Sequence, residues 1–194
     1  DVTRRTQLEA ELRDRVQLAE FQAEIGASLT GALSSRAMLQ RCAELMVSAF
    51  DAAFARIWTL DDAAGVLQLQ ASAGLYTHLD GAHARVPVGV YKIGLIAHER
   101  APHLSNRVVD DPRISDPAWA RREGMVAFAG YPLVIAGRVV GVMAMFARHP
   151  LDDGHLRAMA SVADHLALAI ERRRAEADLV AAKARPEGAY RAWT

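Results

Sequence analysis

Residues 123–150, EGMVAFAGYPLVIAGRVVGVMAMFARHP, constrain the fold of this chain more than any other stretch. Two apolar runs of β-type residues, 128–135 and 139–147, flank Ala136-Gly137-Arg138, which reads as a tight hairpin turn. Neither run alternates apolar with polar residues, so both strands are predicted to be covered on both faces. Directly afterwards Asp152 opens a long helical pattern. A buried hairpin thus feeds a long helix.

The rest of the chain reads as helices around short strands. Residues 2–31 form a charged helix with an apolar stripe at Leu8, Leu12, Val16, Ala19 and Ala23, continued by Ile25 and Leu29. Its large polar remainder predicts packing on a partner helix as well as on its own domain. Gly31 breaks the helix, and Ser34-Ser35 offers the next N-cap. A second helix over 35–50 presents Met38, Leu39, Cys42, Leu45, Met46 and Ala49 to the core. Residues 53–60 and 66–72 read as an antiparallel pair around the turn Asp61-Asp62-Ala63-Ala64-Gly65. Residues 73–91 are turn-rich, with Gly74, Gly81, Pro87 and Gly89. A short helix over 93–100, a brief strand over 103–106 and a turn at Asp110-Asp111-Pro112-Arg113 follow. Asp116 caps another short helix, with Pro117 in its first position. The last helix runs from Asp152 to about residue 184. Leu156, Met159, Ala163, Leu166, Ile170, Arg173, Ala177 and Val180 step alternately by three and four, which is a heptad seam. Its first half is expected to cover the domain. Its second half, with Arg173 and alanines in the seam, needs a partner. Pro186 and Gly188 end it.

Composition narrows the function. With 194 residues, of which 52% are hydrophobic, the chain holds one domain plus extensions. The formal net charge is zero, so no global field draws it to nucleic acid or to an anionic membrane. Arg121-Arg122 and Arg172-Arg173-Arg174 read as solvated helix faces. The single cysteine, Cys42, builds neither a disulfide framework nor a four-cysteine zinc site, and its neighbours Leu39, Leu45 and Met46 predict a buried thiol. No apolar run reaches the roughly 18 residues of a membrane span, and no signal peptide leads the chain. A cytoplasmic setting without direct membrane contact is expected, and the start at Asp1 rather than Met points to an excised piece.

Several segments in their order resemble a GAF domain, the small-molecule-sensing module of bacterial signalling proteins: Arg56-Ile57-Trp58-Thr59-Leu60-Asp61, Pro87-Val88-Gly89 with Gly94, Pro102, Asp110-Asp111-Pro112-Arg113, Glu123-Gly124, Phe128-Ala129-Gly130-Tyr131-Pro132-Leu133, Gly137-Arg138-Val139-Val140-Gly141-Val142 and Ala167-Leu168-Ala169-Ile170-Glu171. The resemblance spans about residues 20–175 and is specific for fold rather than for ligand. It implies an α+β fold, an α/β sandwich: a GAF/PAS-like central antiparallel sheet of five or six strands, with long N- and C-terminal helices on one face and short helices and loops over a pocket on the other. It implies three regions: a signalling and dimerisation helix over 1–31, the GAF domain over 32–171, and a helical extension and linker over 172–194. It also implies a homodimer through the terminal helices, an unidentified small-molecule ligand, and relay to a downstream effector such as a histidine kinase. The chain departs from the family where a glycine usually enters the short helix: Tyr91 stands there, followed by Lys92. A glycine tolerates positive φ at that point and a tyrosine does so at a steric cost. Tyr91 is either a ring over the pocket or a surface aromatic in a loop.

The candidate site follows from this frame. Tyr91, Ile93, His103, Trp119, Met125 and Phe128 offer apolar walls, and Ser105, Asn106, Asp110 and Asp111 offer polar contacts. Against this, Trp119 and Phe128 also suit a plain core, and Asp110-Asp111-Pro112 a capped turn. His78 and His83, like His98 and His103, lie five apart in turn-like sequence, which sets no metal geometry. Some relatives bind haem through an axial histidine, for which His98, His103 and His149 are candidates, none in an identifiable motif. Others attach a tetrapyrrole through cysteine, and Cys42 sits in a terminal helix instead. The cyclic-nucleotide signature of the family is missing. No cofactor is required. No G-x-S-x-G or phosphate loop is present, and the pocket cysteines of the related free-methionine sulfoxide reductases are lacking. The expectation is a non-catalytic sensor. A ligand-free dimerisation scaffold and a haem sensor stand as alternatives.

Overall fold

The computed structural model describes residues 2–31 and 33–184. In chain order these form α1 (Val2–Thr30), α2 (Ser35–Phe50), β1 (Ala52–Asp61), β2 (Val66–Gly74), β3 (Arg85–Pro87), α3 (Tyr91–Glu99), β4 (His103–Ser105), a 3-10 turn (Val108–Asp110), α4 (Pro117–Arg122), β5 (Ala127–Ile135), β6 (Arg138–Ala147) and α5 (Asp153–Lys183). All six strands join one antiparallel sheet in the order β3-β2-β1-β6-β5-β4. The hairpin turn is tighter than the sequence reading: Ala136 and Gly137 alone make it, both at positive φ (48° and 75°), as a two-residue connection of this hand demands. Arg138 is already the first residue of β6, paired with Ile135.

The sheet divides the interior into two cores. On one face Ala55 and Ile57 of β1, Ala129, Tyr131 and Leu133 of β5, and Met143 and Met145 of β6 pack against Met38, Cys42 and Met46 of α2 and Met159, Val162, Leu166 and Ile170 of α5. On the other face Phe54 and Trp58 of β1, Leu67 and Leu69 of β2, Phe128 of β5 and Val142 and Ala144 of β6 meet Ile93 and Ile96 of α3 and Ala120 of α4. Both apolar runs of the hairpin are therefore buried from both sides. Caps close the helices as expected from local chemistry: Ser34 accepts from Ala37 N, Asp116 from Trp119 N and Asp152 from His155 N. The Tyr131 hydroxyl donates to the Leu156 carbonyl (3.0 Å) and pins α5 to β5.

Four readings change. In α1 the inward face is Leu18, Phe21, Ile25 and Leu29, whereas Leu8, Leu12 and Val16 are exposed. Phe21 meets Phe50 edge-on at 4.9 Å, and the N-terminal half of α1 carries its stripe without cover from this chain. Arg173, read as part of a seam that needs a partner, is engaged within its own chain: its guanidinium donates to the carbonyls of Gly31 and Leu33. Residues 85–87, read as loop, are a short strand whose Val86 lies buried opposite Leu67. The short helix begins at Tyr91 rather than 93, because the Gly94 amide bonds back to Val90 (3.0 Å), and Tyr91 enters it at φ +54°. Gly94 is required here, since a Cβ would collide with the Pro87 carbonyl. The helix terminators Pro186 and Gly188, with most of the proposed linker, lie outside the described residues.

Candidate functional site

Between the second face of the sheet and its roof lies a cavity of about 320 Å³. β1 supplies Phe54, Arg56 and Trp58 to it, alternating with Ala55 and Ile57, which point to the helices. The far ends of β5 and β6 add Phe128, Ala144 and Phe146. The roof is built from Tyr76, His78 and His83 of the β2–β3 connection, Tyr91, Lys92 and Ile93 of α3, the loop 113–116, and Trp119 of α4.

Aromatic rings make the walls and hold one another. Phe54 stacks on Phe146 (5.1 Å, 20°), and Trp119 and Phe128 meet Phe146 edge-on at 5.2 and 5.0 Å. Trp119 Nε1 donates to the Tyr76 hydroxyl and Trp58 Nε1 to the His83 carbonyl, both at 2.8 Å. These bonds satisfy both indoles and tie the roof to the wall.

Three cations border this space, in two arrangements. Lys92 and Arg113 share Asp111. The lysine is buried in an ion pair with it, and Arg113 donates from Nε (3.0 Å) and Nη2 (3.1 Å). Burial acts to raise the Asp111 carboxyl, but the hydrogen bonds from Arg113 and Lys92 outweigh it and hold the group well below the usual carboxylate range. Burial lowers the Lys92 ammonium, opposed by Asp111; its Nζ also lies 4.5 Å from the Phe128 ring centroid. Arg56 differs. It is 8% exposed and flanked by the rings of Phe54 and Tyr76 at 5.6 and 5.7 Å. Nε donates to Ser72 Oγ (3.1 Å), across the strand pair that sets Arg56 opposite Ser72. Nη2 lies 3.5 Å from His78 Nε2. Among the described residues no carboxylate pairs with Arg56, and burial pushes its basicity down. Burial, and then the charge of Arg56, also push His83 below the usual histidine range.

Of the residues expected at the site, Tyr91, Ile93, Trp119 and Phe128 line the cavity. Tyr91 keeps the left-handed backbone that a glycine would take more cheaply, and its ring meets His83 edge-on at 5.7 Å. The other six lie elsewhere. Met125 is buried in the surrounding core. His103 and Ser105 belong to the edge strand β4, where His103 Nε2 meets Glu99 (2.5 Å) and Ser105 Oγ accepts from the Arg107 amide. Asn106 brackets the backbone of Leu151, donating to its carbonyl (3.0 Å) and accepting from its amide (2.8 Å). Asp110 pairs with the exposed Arg107. Asp111 stands behind the wall and fixes Lys92 and Arg113. The polar groups read as ligand contacts are thus engaged by backbone and neighbouring cations at the sheet edge.

Arg56 and the two roof histidines His78 and His83 were not among the candidates. The signal for Arg56 is its place between Phe54 and Trp58 at period two: one cation among aromatics on a single strand face. Of the haem candidates, none of His98, His103 and His149 lines the cavity. His149 instead faces the carbonyls of Pro150, Phe50 and Asp51, which raise its pKa against the opposing effect of burial. Cys42 is fully buried on the helical face, and desolvation, opposed by the charge of Arg41, pushes its thiol up to about 12. Among the described residues no three His, Cys, Asp or Glu side chains gather into a metal-holding group, and no helix is long and apolar enough to cross a membrane.

A single antiparallel sheet with long helices on one face and a roofed cavity on the other defines the fold class of the chain. The family model described as GAF domain matches residues 32–171, and the chain belongs to that family. Solved GAF domains share the fold. One from a phosphoenolpyruvate-protein phosphotransferase of Coxiella burnetii is similar at TM-score 0.74 and 21% identity, over 84% of this chain and 98% of that one. The A. aeolicus nlh2 GAF domain in an inactive state is similar at TM-score 0.71 and 17% identity, over 82% and 99%. The free methionine-R-sulfoxide reductase from Neisseria meningitidis, solved with its substrate, is similar at TM-score 0.66 and 18% identity, over 82% and 93%. Comparison with curated proteins gives no match.

Proposed function

We propose that this chain is a non-catalytic sensor domain: the cavity takes a small molecule, and the terminal helices, paired with those of a second copy, carry the resulting bias to an effector such as a histidine kinase. The observation that carries the reading is the cavity itself. Its volume of about 320 Å³ falls within the span of small-molecule sites, and its few polar groups converge on aromatic walls. Its position supports the relay. β1 faces the cavity with Phe54, Arg56 and Trp58 and faces α2 and α5 with Ala55 and Ile57. The apolar residues of α1 left exposed, Leu8, Leu12 and Val16, and those of the end of α5, Leu179 and Val180, supply a surface for the second copy. The only cysteine, Cys42, lies in the other core, fully buried, which speaks against thiol chemistry at the cavity.

Native mass spectrometry and titration calorimetry test the proposal. A small molecule retained from expression, or one that binds stoichiometrically and changes the environment of Trp58 or Trp119, is the expected result. A cavity that neither retains nor takes up any compound overturns the sensor reading and leaves a dimerisation scaffold.

A further inference from the structure

The cavity is unusual in holding one cation without an anion. Lys92 and Arg113 stand beside it on a shared carboxylate: both converge on Asp111, whose two oxygens are engaged. The one carboxylate in the lining, Asp116, caps the amide of Trp119. Three cations meet two carboxylates here, which leaves one net positive charge among the described residues at neutral pH, and Arg56 is the cation with no carboxylate contact.

Arg56 is also nearly closed off from water, at 8% exposure. With Nε bound to Ser72, the guanidinium presents Nη1 and Nη2, and its flat faces run against Phe54 and Tyr76. Nη2 has only a long contact with His78, and Nη1 has no bond to the described residues. A guanidinium buried among rings without an anionic partner is unfavourable. Two adjacent nitrogens in one plane match the two oxygens of a carboxylate, which accepts them as a fork. The excess charge is one, so the matching ligand is a monoanion rather than a phosphate ester carrying two charges. Beyond the guanidinium the cavity offers rings on several sides: Phe54, Trp58, Tyr76, Trp119, Phe128 and Phe146. Such walls favour a flat aromatic body by stacking and edge contacts.

We propose that the ligand is an aromatic monocarboxylate of one or two rings, its carboxylate held by Nη1 and Nη2 of Arg56 and its ring enclosed by the aromatic walls; this rests on the sensor reading above. Ser72 orients Arg56 through Nε, and the Asp111 cluster keeps Lys92 and Arg113 from competing for the anion.

The test is calorimetry on the 194-residue chain with indole-3-acetate and phenylacetate against their amides, indole-3-acetamide and phenylacetamide. The acids are expected to bind about tenfold more tightly than the amides or better, since a charged hydrogen-bonded pair replaces a neutral one. Arg56→Gln brings acid and amide to parity, while Arg56→Lys keeps part of the preference, as charge without the fork. The acid–amide comparison on the unaltered chain stands even if a variant fails to fold. Amides that match the acids, or acid binding that survives Arg56→Gln, overturn the proposal while leaving a ligand-binding cavity. If neither acids nor amides bind, the proposal is overturned. A neutral fragment set monitored by tryptophan fluorescence then separates the two failures: a response keeps the sensor reading, and silence removes it as well.

Discussion

Asp111→Asn isolates the electrostatic support of the roof. The side chain of Asp111 is 5% exposed and that of Lys92 6%, whereas Arg113 is 39% exposed. Removing one partner of a buried ion pair costs about 3–5 kcal/mol, because the other charge remains desolvated. Two features place the loss near the lower end. Arg113 reaches water and its part is discounted. Lys92 keeps its contact with the Phe128 ring, and the asparagine oxygen still accepts one hydrogen bond. The expected loss is about 3 kcal/mol, read by urea unfolding as a midpoint shift of about 1–2 M at unchanged slope. Adding Lys92→Met to Asp111→Asn removes the stranded charge and is expected to recover at least half. The pH dependence carries the same signature. The Asp111 carboxyl is depressed in the folded chain, so its contribution is complete above the unfolded value near 4 and is lost as pH falls below it; Asp111→Asn removes that acid-side slope. Lys92 slopes the same way in its own window, because burial disfavours its charge: with its folded value lowered, stability rises as pH climbs from the folded value toward the unfolded one near 10.4. A loss under about 1 kcal/mol, or a double variant no more stable than Asp111→Asn, refutes the view that Asp111 exists to neutralise buried Lys92.

Three further outcomes follow from packing. Gly141→Ala places a Cβ against the Trp58 carbonyl in the β1–β6 ladder and is expected to cost about 3 kcal/mol by thermal unfolding, whereas Gly137→Ala, with nothing within 4 Å, costs only the roughly 1 kcal/mol of its left-handed turn. Cys42, buried and with its thiol raised to about 12, is expected to react with a disulfide reagent only at the rate of unfolding; fast labelling of the native chain refutes this. Leu12→Glu with Val16→Glu, both at exposed positions, is expected to give a folded monomer by light scattering, whereas Leu166→Glu, fully buried between α5 and the sheet, unfolds the domain; an unchanged dimer in the double variant removes α1 from the interface.

Sequence readings succeeded where a local chemical rule decides the structure. Ser34, Asp116 and Asp152 announce helix starts because a side-chain oxygen three residues ahead of a free amide needs nothing from the rest of the fold. The β5–β6 hairpin was legible because its turn and both runs lie within one stretch of sequence. β3 was not: three residues carry no periodicity, and what makes them a strand is pairing with β2 across the 75–84 loop. The inward face of α1 was misjudged because its leucines and alanines support two stripes, and only contact with Phe50 selects the one through Phe21. At the site, large apolar side chains lead to Tyr91, Ile93, Trp119 and Phe128, all on the cavity lining. Polar residues misled, since Asn106 and Asp110 bind their own surroundings. Arg56 was hidden by being on a strand that otherwise reads as core.

The shared strand makes the proposed relay refutable by linkage. The helical face of the sheet is lined by small residues, Ala55, Ala71, Ala73, Ala127, Ala129 and Ala147, which bring α2 and α5 close to the backbone that carries the cavity residues. A close-packed layer transmits a strand displacement rather than absorbing it. If the second copy binds through α1 and α5 and the cavity senses its ligand by the same rearrangement, the two equilibria are coupled, and coupling is reciprocal. Whatever factor indole-3-acetate applies to dimerisation, dimerisation must apply to the affinity for indole-3-acetate. The monomeric Leu12→Glu, Val16→Glu variant retains the whole cavity, so the comparison is direct. A coupling of 1–3 kcal/mol, usual for such devices, corresponds to affinities that differ between dimer and monomer by about fivefold or more. Equal affinities in the two states mean that the cavity binds without informing the helices, and the relay is then wrong even if the ligand class is right.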